Sequence, residues 1–260
     1  MAKIRRSQVF LKDKNILRKI VDFAEVKEDD WILEIGAGKG YLTEYLMKSG
    51  AKVIAIEVDD QLVEYLKKEY ALLLNHRLFL YKDDFLKIDL KNILDNHELK
   101  KIKVVSNIPY HITSPIIKKL IRNKGLFPEI YLTIQKEVAE RITAGPGNKK
   151  YGALTLFVNL HYDPEILFII KKGSFSPVPE VDSAFIKLVR KKQVILEKPE
   201  RFERFVKKLF SRRRKKLKTI LKEMVNDRTI LEKIPEEDLS KRPEDFTLEE
   251  LIKIYRVIKE

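Results

Sequence analysis

A glycine-rich turn between an apolar run and a helical pattern constrains the fold more than any other feature of this sequence. Residues 31–35 are apolar and typical of a buried strand, residues 36–40 read Gly-Ala-Gly-Lys-Gly, and residues 41–48 have helical spacing. A second strand, predicted over 52–56, ends at Glu57. A strand, a tight glycine turn and a helix in this order are typical of α/β proteins that bind nucleotide-like ligands.

Strand and helix patterns alternate through the first half of the chain. Further helices are predicted over 13–24, 61–74 and 114–122, and further strands over 78–81, 103–106, 129–134 and 184–189. This alternation predicts a parallel, doubly wound sheet, so the fold class is α/β and Rossmann-like. After about residue 195 the periodicity becomes helical. We therefore predict a larger domain over 1–194 and a small helical domain over 195–260.

The composition excludes several classes of protein. The 260 residues are 44% hydrophobic, which supports a normal core and excludes wholesale disorder. The absence of cysteine excludes disulfides and thiolate chemistry, and the four histidines lack metal-ligand spacing, so we predict no metal. No apolar run is long enough to span a bilayer, and no apolar segment of a secretory signal follows the basic start of the chain. We expect a cytoplasmic protein.

The chain carries a formal net charge of +14, which suits either solubility or a polyanionic partner. Residues 201–223 contain eleven basic and only two acidic side chains, with apolar residues at helical spacing. This pattern predicts one amphipathic helical segment with a phosphate-binding surface, rather than an evenly charged exterior. An exposed helix face and a membrane-surface helix are the alternatives. The candidate RNA-binding residues are Arg212, Arg213, Arg214, Lys215 and Lys216.

The glycine turn and the strand ends after it predict a cofactor site. Gly36 and Gly38 let the backbone approach a ligand closely, and Glu57 can accept hydrogen bonds from ribose hydroxyls. These features fit NAD, FAD or S-adenosylmethionine. A dinucleotide fingerprint, however, needs glycine at position 41, where this chain has Tyr41, so a ligand without a pyrophosphate is favoured. Asp84 follows the third strand and can bind an adenine amino group, or it can simply cap a helix.

The segment Asn107-Ile108-Pro109-Tyr110 ends the fourth predicted strand and points to methyl transfer onto a base amine. The lone pair of such an amine is delocalised into the ring, so acceptors aimed at its hydrogens favour attack on an electrophilic methyl group. The Asn107 side chain and the Ile108 carbonyl can supply these acceptors, and Tyr110 can stack on the base. The same tetrapeptide also occurs by chance in structural loops.

A second aromatic segment, rich in proline, runs from Phe175 to Ser183. Because prolines hold a loop extended, Phe175 is a candidate for the other side of a base sandwich. A buried phenylalanine that anchors the loop is an equally good interpretation.

Taken together, these motifs resemble the rRNA adenine dimethyltransferases, in order from residue 7 to about residue 222. The resemblance rests on residues 7–11 and 34–40, on Glu57, Asp84 and residues 107–110, and on residues 135–141, 151–152 and 175–179. Within the family, residues 175–183 and 210–216 look most like the KsgA type. The resemblance implies a class I S-adenosylmethionine-dependent fold and dimethylation of two adjacent adenosines near the 3′ end of small-subunit rRNA.

The resemblance also implies roles for individual residues. Gln8, Val9 and Leu11 of the N-terminal arm would line the cofactor pocket, and Gly36 and Gly38 would pass under the methionine moiety. Glu57 would bind the ribose, Asp84 the adenine of the cofactor, and Asn107 both cofactor and target. Tyr110 and Phe175 would clamp the target adenine. The family usually has Asn or His where this chain has Val9, so only the backbone of Val9 is a candidate contact.

The expected partner is small-subunit rRNA in a pre-ribosomal particle, bound by a monomer. One alternative is the erythromycin-resistance type of methylase, which modifies large-subunit rRNA. Others are a methyltransferase with a different amine target and a non-catalytic ribosome-assembly or transcription factor. The intact Gly36, Glu57 and Asn107 argue against a pure binding module.

Overall fold

The computed structural model describes residues 9–192, 196, 198–225 and 227–259. The chain forms two compact units, one made of Met1–Ala139 with Asp163–Arg190 and the other of Glu140–Tyr162 with Lys191–Glu260. The domain boundary predicted at residue 194 stays a prediction. The two compact units divide the chain differently, because residues 140–162 group with the C-terminal helices.

Nine strands are found among the described residues. They are β1 (Phe10–Leu11), β2 (Trp31–Ile35), β3 (Lys52–Glu57), β4 (Leu78–Lys82), β5 (Lys103–Asn107), β6 (Glu129–Gln135), β7 (Tyr162–Ile170), β8 (Phe175–Ser176) and β9 (Ser183–Arg190). The helices of the first half are α1 (Lys14–Phe23), α2 (Tyr41–Lys48), α3 (Asp60–Glu69), α4 (Leu90–Asp95), α5 (Thr113–Arg122) and α6 (Lys136–Ile142). Those of the second half are α7 (Ala153–Asn159), α8 (Pro199–Ser211), α9 (Leu217–Leu221), α10 (Glu236–Ser240) and α11 (Leu248–Lys259).

The main sheet has seven strands in the order β4-β3-β2-β5-β6-β9-β7. The five strands from β4 to β6 are parallel, which confirms the α/β class. The parallel sheet predicted from the alternating strands is thus confirmed for these five, and β9, predicted only as a further strand, runs antiparallel to β6.

Register within the parallel strands brings their carboxyl ends together. Ile35 of β2 lies opposite Ile56 of β3, and Leu33 lies opposite Val104 of β5. The residues that end these strands therefore share one edge of the sheet. In α/β sheets ligands bind at this edge.

The predicted helix over 61–74 is shorter in the structure, where α3 ends at Glu69. Tyr70 closes the helix, and its carbonyl accepts hydrogen bonds from the backbone N–H groups of both Leu73 and Leu74. Asn75 then takes a positive φ of 60° and leads into β4. Leucine-rich sequence after a helix carries no signal for such a turn, so the pattern overextended the helix.

The second unit buries its own core, which includes Phe202, Leu209, Phe246 and Leu251. The amphipathic segment predicted over 201–223 is not one helix: α8 ends at Ser211 and α9 begins at Leu217. The run of cations from Arg212 to Lys216 forms the turn between them. No helix among the described residues combines the length and apolarity that crossing a bilayer requires.

Candidate active site

A cavity of about 300 Å³ opens at the carboxyl edge of the parallel strands. Its walls are the turn after β2, the ends of β3 and β5, the loop after β4 and the arm that contains β1. The predicted site residues that line it are Val9, Leu11, Gly36, Gly38, Glu57, Asp84, Asn107, Ile108, Pro109 and Tyr110. The structure thus brings together residues that the sequence scatters over a hundred positions. Gln8 lies outside the described residues.

The glycine turn is held in a conformation that side chains disfavour. Gly36, Gly38 and Gly40 have φ values of 73°, 59° and 76°. A Cβ placed on Gly38 would lie 2.8 Å from the ring of Phe10. The turn therefore needs glycine both for its backbone angles and for the approach of the arm.

Glu57 fixes this turn from the neighbouring strand. Its Oε2 accepts the backbone N–H of Gly38 at 2.9 Å, and its Oε1 accepts those of Val58 and Asp59 at 2.9 and 3.0 Å. The side chain is buried yet lines the cavity. Each carboxylate oxygen can accept more than one hydrogen bond, so lone pairs remain for ligand hydroxyls.

Glu34 is a second buried acid in the cavity wall, and no role for it was predicted from the sequence. It accepts a hydrogen bond from Thr43 Oγ1 at 2.6 Å and is 2% exposed. Burial raises the pKa of Glu34 to about 8, and the nearby Glu57 adds to the rise. The carboxyl group is therefore protonated at neutral pH in the free protein.

The loop after β4 presents Asp84 to the cavity. Its Oδ1 accepts a hydrogen bond from the backbone N–H of Leu86 at 2.9 Å, which is the kind of contact that caps a helix. The same side chain also belongs to a residue that lines the cavity. Lys119 of α5 holds the same loop by donating to the carbonyl of Ile88 at 2.5 Å. Burial lowers the pKa of Lys119. Its supporting role had no signal in the sequence, because α5 and the loop are distant along the chain.

Asn107 ends β5 and carries the most informative atom of the site. Its Oδ1 is buried and accepts no hydrogen bond from the described residues. A buried acceptor without a donor costs about 1–3 kcal/mol, a cost that a ligand N–H would remove. Pro109 follows without an N–H of its own, and the Tyr110 ring stands half-buried in the wall with its hydroxyl 2.6 Å from Ser183 Oγ.

The N-terminal arm enters the site by pairing with the proline-rich segment. Strands β1 and β8 form a two-stranded antiparallel ribbon in which Leu11 lies opposite Phe175. Phe10 covers Gly38, and Lys39 Nζ lies 5.6 Å from the centre of its ring. Phe10 was not among the predicted site residues. Its position between two predicted contacts, Val9 and Leu11, is the signal that could have found it.

Phe175 is the one predicted residue of the described site that does not line the cavity. It is 3% exposed, and its ring centre lies 6.5 Å from that of Tyr110, edge-on at 70°. In this structure Phe175 is therefore a buried phenylalanine, as in the second of the two interpretations of the sequence. A sandwich around a base needs two roughly parallel faces, so the predicted clamp requires the Phe175 ring to change its orientation.

The basic turn of the second unit divides into two groups. Arg212 pairs with Glu223, and Arg213 pairs with Glu244 at 2.7 Å and donates to the carbonyl of Lys149 at 3.0 Å. Arg214, Lys215 and Lys216 are exposed, and no ion pair holds them among the described residues. These three cations are the ones free to meet an anionic partner.

Comparison with known proteins assigns the family. The family model described as ribosomal RNA adenine dimethylase matches residues 1–256. The chain belongs to this family. Two similar relatives, both named ribosomal RNA small subunit methyltransferase A, come from Chlorobaculum parvum and Thermotoga maritima. The first is 41% identical over 98% of this chain and 88% of its own length, and the second is 42% identical over 95% and 82%.

Solved structures of other methyltransferases share the fold of this family member. A dimethyladenosine transferase from Plasmodium falciparum is 31% identical, with a TM-score of 0.80 over 94% of this chain and 95% of its own. The 23S rRNA methyltransferase ErmE is 23% identical, with a TM-score of 0.72 over 96% and 100%. The expected class I S-adenosylmethionine-dependent fold is confirmed.

Glu34→Gln tests the protonated state of the buried acid. Below its ordinary value of 4.5 the carboxyl is protonated in both folded and unfolded chains, and between 4.5 and about 8 only the folded chain keeps the proton. Folding stability therefore falls as pH rises, by about 1.4 kcal/mol per pH unit from this group. Glutamine does not titrate, so urea unfolding should show a stability advantage of Glu34→Gln that grows from about pH 5 to pH 7.

The exposed Glu69, at the end of α3, provides the control for this measurement. Glu69→Gln should follow the wild-type pH dependence. Parallel curves for wild type and Glu34→Gln would contradict the assigned protonation state.

Gly38→Ala tests the glycine turn as the cofactor cradle. The new Cβ would clash with the Phe10 ring, and alanine would have to adopt an unfavourable positive φ. The arm must therefore shift away from the cavity. We expect calorimetry to show S-adenosylmethionine affinity reduced by about tenfold or more. Gly125→Ala, which has open space around its Cβ position, is the matched control. Unchanged affinity in a folded Gly38→Ala protein would remove the turn from the binding site.

Proposed function

We propose that this protein transfers methyl groups from S-adenosylmethionine to the N6 amines of two adjacent adenosines near the 3′ end of small-subunit rRNA, giving N6,N6-dimethyladenosines. Family membership and the names of the relatives from Chlorobaculum parvum and Thermotoga maritima support small-subunit rRNA adenine as the target. The observation that carries the chemistry is the buried Oδ1 of Asn107, a residue of the cavity wall, which accepts no hydrogen bond from any residue that the structure describes.

The residues around the cavity fit S-adenosylmethionine. The glycine turn at 36–38 offers a cradle that a Cβ would fill, and Glu57 offers carboxylate lone pairs to ribose hydroxyls. Asp84 is placed beside Phe85, whose apolar side chain also lines the wall and suits an adenine ring. When bound, the sulfonium group of this molecule supplies an electrophilic methyl. We propose no metal for the reaction.

The target amine would be held by acceptors on the same strand end. Asn107 Oδ1 and the carbonyl of Ile108 would accept its two hydrogens and favour a localised lone pair on nitrogen. The nitrogen forms a bond to the methyl carbon as the carbon–sulfur bond breaks, and the resulting cation loses its proton to water. Positioning and electrostatics would carry most of the rate, and no general base is required.

The target base would stack on Tyr110, with Phe175 as the proposed opposite wall. Tyr110 already lines the cavity, whereas Phe175 is buried beside it. We therefore propose that Phe175 completes the clamp only when a base enters. A flipped or single-stranded adenosine is the form of substrate that such a site accepts.

RNA docking is proposed for the basic turn of the second unit. Arg214, Lys215 and Lys216 would contact backbone phosphates, while Arg212 and Arg213 would hold the turn through their ion pairs with glutamates. The proposed setting is a pre-ribosomal particle in the cytoplasm, bound by a monomer.

Asn107→Ala is the variant that tests the proposed chemistry. The change removes one acceptor for the amine hydrogens without touching the basic turn. Transfer of labelled methyl groups to immature small subunits should fall at least a hundredfold, on the order of the loss seen for a removed oxyanion-hole donor. Filter binding should show RNA affinity within about threefold of wild type.

Asn92 on α4 supplies the matched control, because it is exposed and does not line the cavity. Asn92→Ala should retain both methyl transfer and RNA affinity. Equal loss of transfer and RNA binding in Asn107→Ala would contradict the role assigned to Asn107.

Charge removal from the basic turn tests RNA docking. With Arg214, Lys215 and Lys216 all changed to Ala, the slope of log affinity against log salt should flatten by about 2, because each lost phosphate contact removes roughly 0.7–0.9. The control changes three exposed lysines that precede the amino ends of β2 and β5, namely Lys27, Lys100 and Lys101. Equal slopes for the two triple variants would rule out the turn as a phosphate-binding surface.

A further inference from the structure

Tyr110 is anchored at its hydroxyl by a residue outside the cavity. Its Oη lies 2.6 Å from Ser183 Oγ, and either atom can donate the hydrogen. Ser183 is fully buried, whereas Tyr110 lines the cavity. Burial raises the pKa of the Tyr110 phenol, so the hydroxyl keeps its proton and the bond persists across the neutral range.

Ser183 is itself held firmly. It is the first residue of β9 and lies opposite Gln135 in the antiparallel pair with β6. The preceding Asp182 accepts the N–H of Lys172 and pairs with Lys171 Nζ, both at 3.0 Å, and its carbonyl accepts the N–H of Lys136. The hydroxyl that meets Tyr110 is therefore attached to the rigid sheet.

The backbone of Tyr110 is held as well. The Tyr110 carbonyl accepts a hydrogen bond from Thr113 Oγ1 at 3.0 Å, and Thr113 is buried at the start of α5. With backbone and hydroxyl both held, the long axis of the ring has one direction. The Phe175 ring lies beside it, with the two ring centres 6.5 Å apart and the ring planes at 70°.

These contacts distinguish the two aromatic residues of the proposed clamp. Tyr110 is tied to β9 of the large sheet through a hydrogen bond. Phe175 belongs to the two-residue strand β8, whose partner in the ribbon is the equally short β1. A base that enters between the rings would therefore meet a fixed face at Tyr110.

We propose that Ser183 is a positioning residue that holds Tyr110 as the fixed face on which the target adenine stacks. The inference rests on the proposed methyl transfer to adenine. Because Tyr110 and Asn107 lie at the same strand end, a tilt of the ring moves the base and carries its amine away from Asn107 Oδ1. Small misplacements of a reacting atom reduce rate steeply.

Loss of the Ser183 hydroxyl should lower the rate of methyl transfer without weakening cofactor binding. Ser183 does not line the cavity, so its removal should leave S-adenosylmethionine affinity near the wild-type value. A looser ring should lower kcat for methyl transfer more than it raises KM for RNA, since the proposed phosphate contacts lie on the basic turn of the second unit. A purely structural role for Ser183 would instead reduce stability and all these parameters together.

The test is a double-mutant cycle of Ser183→Ala and Tyr110→Phe, which each remove one partner of the bond and keep the ring. With immature small subunits as substrate, each single variant should lower kcat by about tenfold. The double variant should lose no more than either single one, because the bond is already absent. Calorimetry should show cofactor affinity within about twofold of wild type in all three.

Ser106→Ala is the matched control. Ser106 is also a fully buried serine at a strand end, where its hydroxyl bonds to the N–H and carbonyl of Ile35 at 3.1 and 2.7 Å. Its effect on kcat should add to that of Tyr110→Phe. Equal non-additivity for Ser106→Ala would show general destabilisation and overturn the proposal.

Two further outcomes would overturn the role of Ser183. One is an unchanged kcat in Tyr110→Phe, which decides the matter even when Ser183→Ala does not fold. The other is full additivity of Ser183→Ala with Tyr110→Phe. Failure of the wild-type protein to methylate small subunits would instead refute the proposed function, so the two failures are distinguishable.

Discussion

The parallel register of β2, β3 and β5 determines where every other part of the site lies. It sets the ends of these strands side by side, so that Glu57 reaches the backbone N–H of Gly38 across the strand boundary. That hydrogen bond shapes the glycine turn, and the turn in turn leaves room for Phe10 of the arm. The order of the strands and the positive φ angles of Gly36 and Gly38 therefore shape this side of the cavity.

Two buried polar groups at this edge of the sheet lower the folding stability of the free protein. Glu34 is kept protonated by burial, and Asn107 Oδ1 has no donor among the described residues. Neither arrangement favours folding, since a buried acid and an unpaired acceptor both lose their hydration. Both residues line the same cavity, so the cost in folding stability is concentrated at the carboxyl edge of the sheet.

Local patterns predicted the parallel half of the sheet and most of the cavity wall. The reason is that the glycine turn and Asp84 follow strands with a clear apolar signal, and Glu57 and Asn107 end such strands. Contacts between distant segments had no such signal. The pairing of β1 with β8, the antiparallel β9 and the bond between Tyr110 and Ser183 all depend on tertiary packing. The apolar periodicity of 201–223 continues across the turn at 212–216, so it could not reveal where α8 ends and α9 begins.

Whether this cavity methylates an adenosine amine held by Asn107 can be measured by the transfer of labelled methyl groups to immature ribosomal subunits, followed by digestion of the RNA and identification of the labelled nucleosides. We expect N6,N6-dimethyladenosine in small-subunit RNA only, at two adjacent positions near the 3′ end, and we expect it to be lost with Asn107→Ala. Label confined to large-subunit RNA, or label on a group other than an adenine amine, would contradict this expectation.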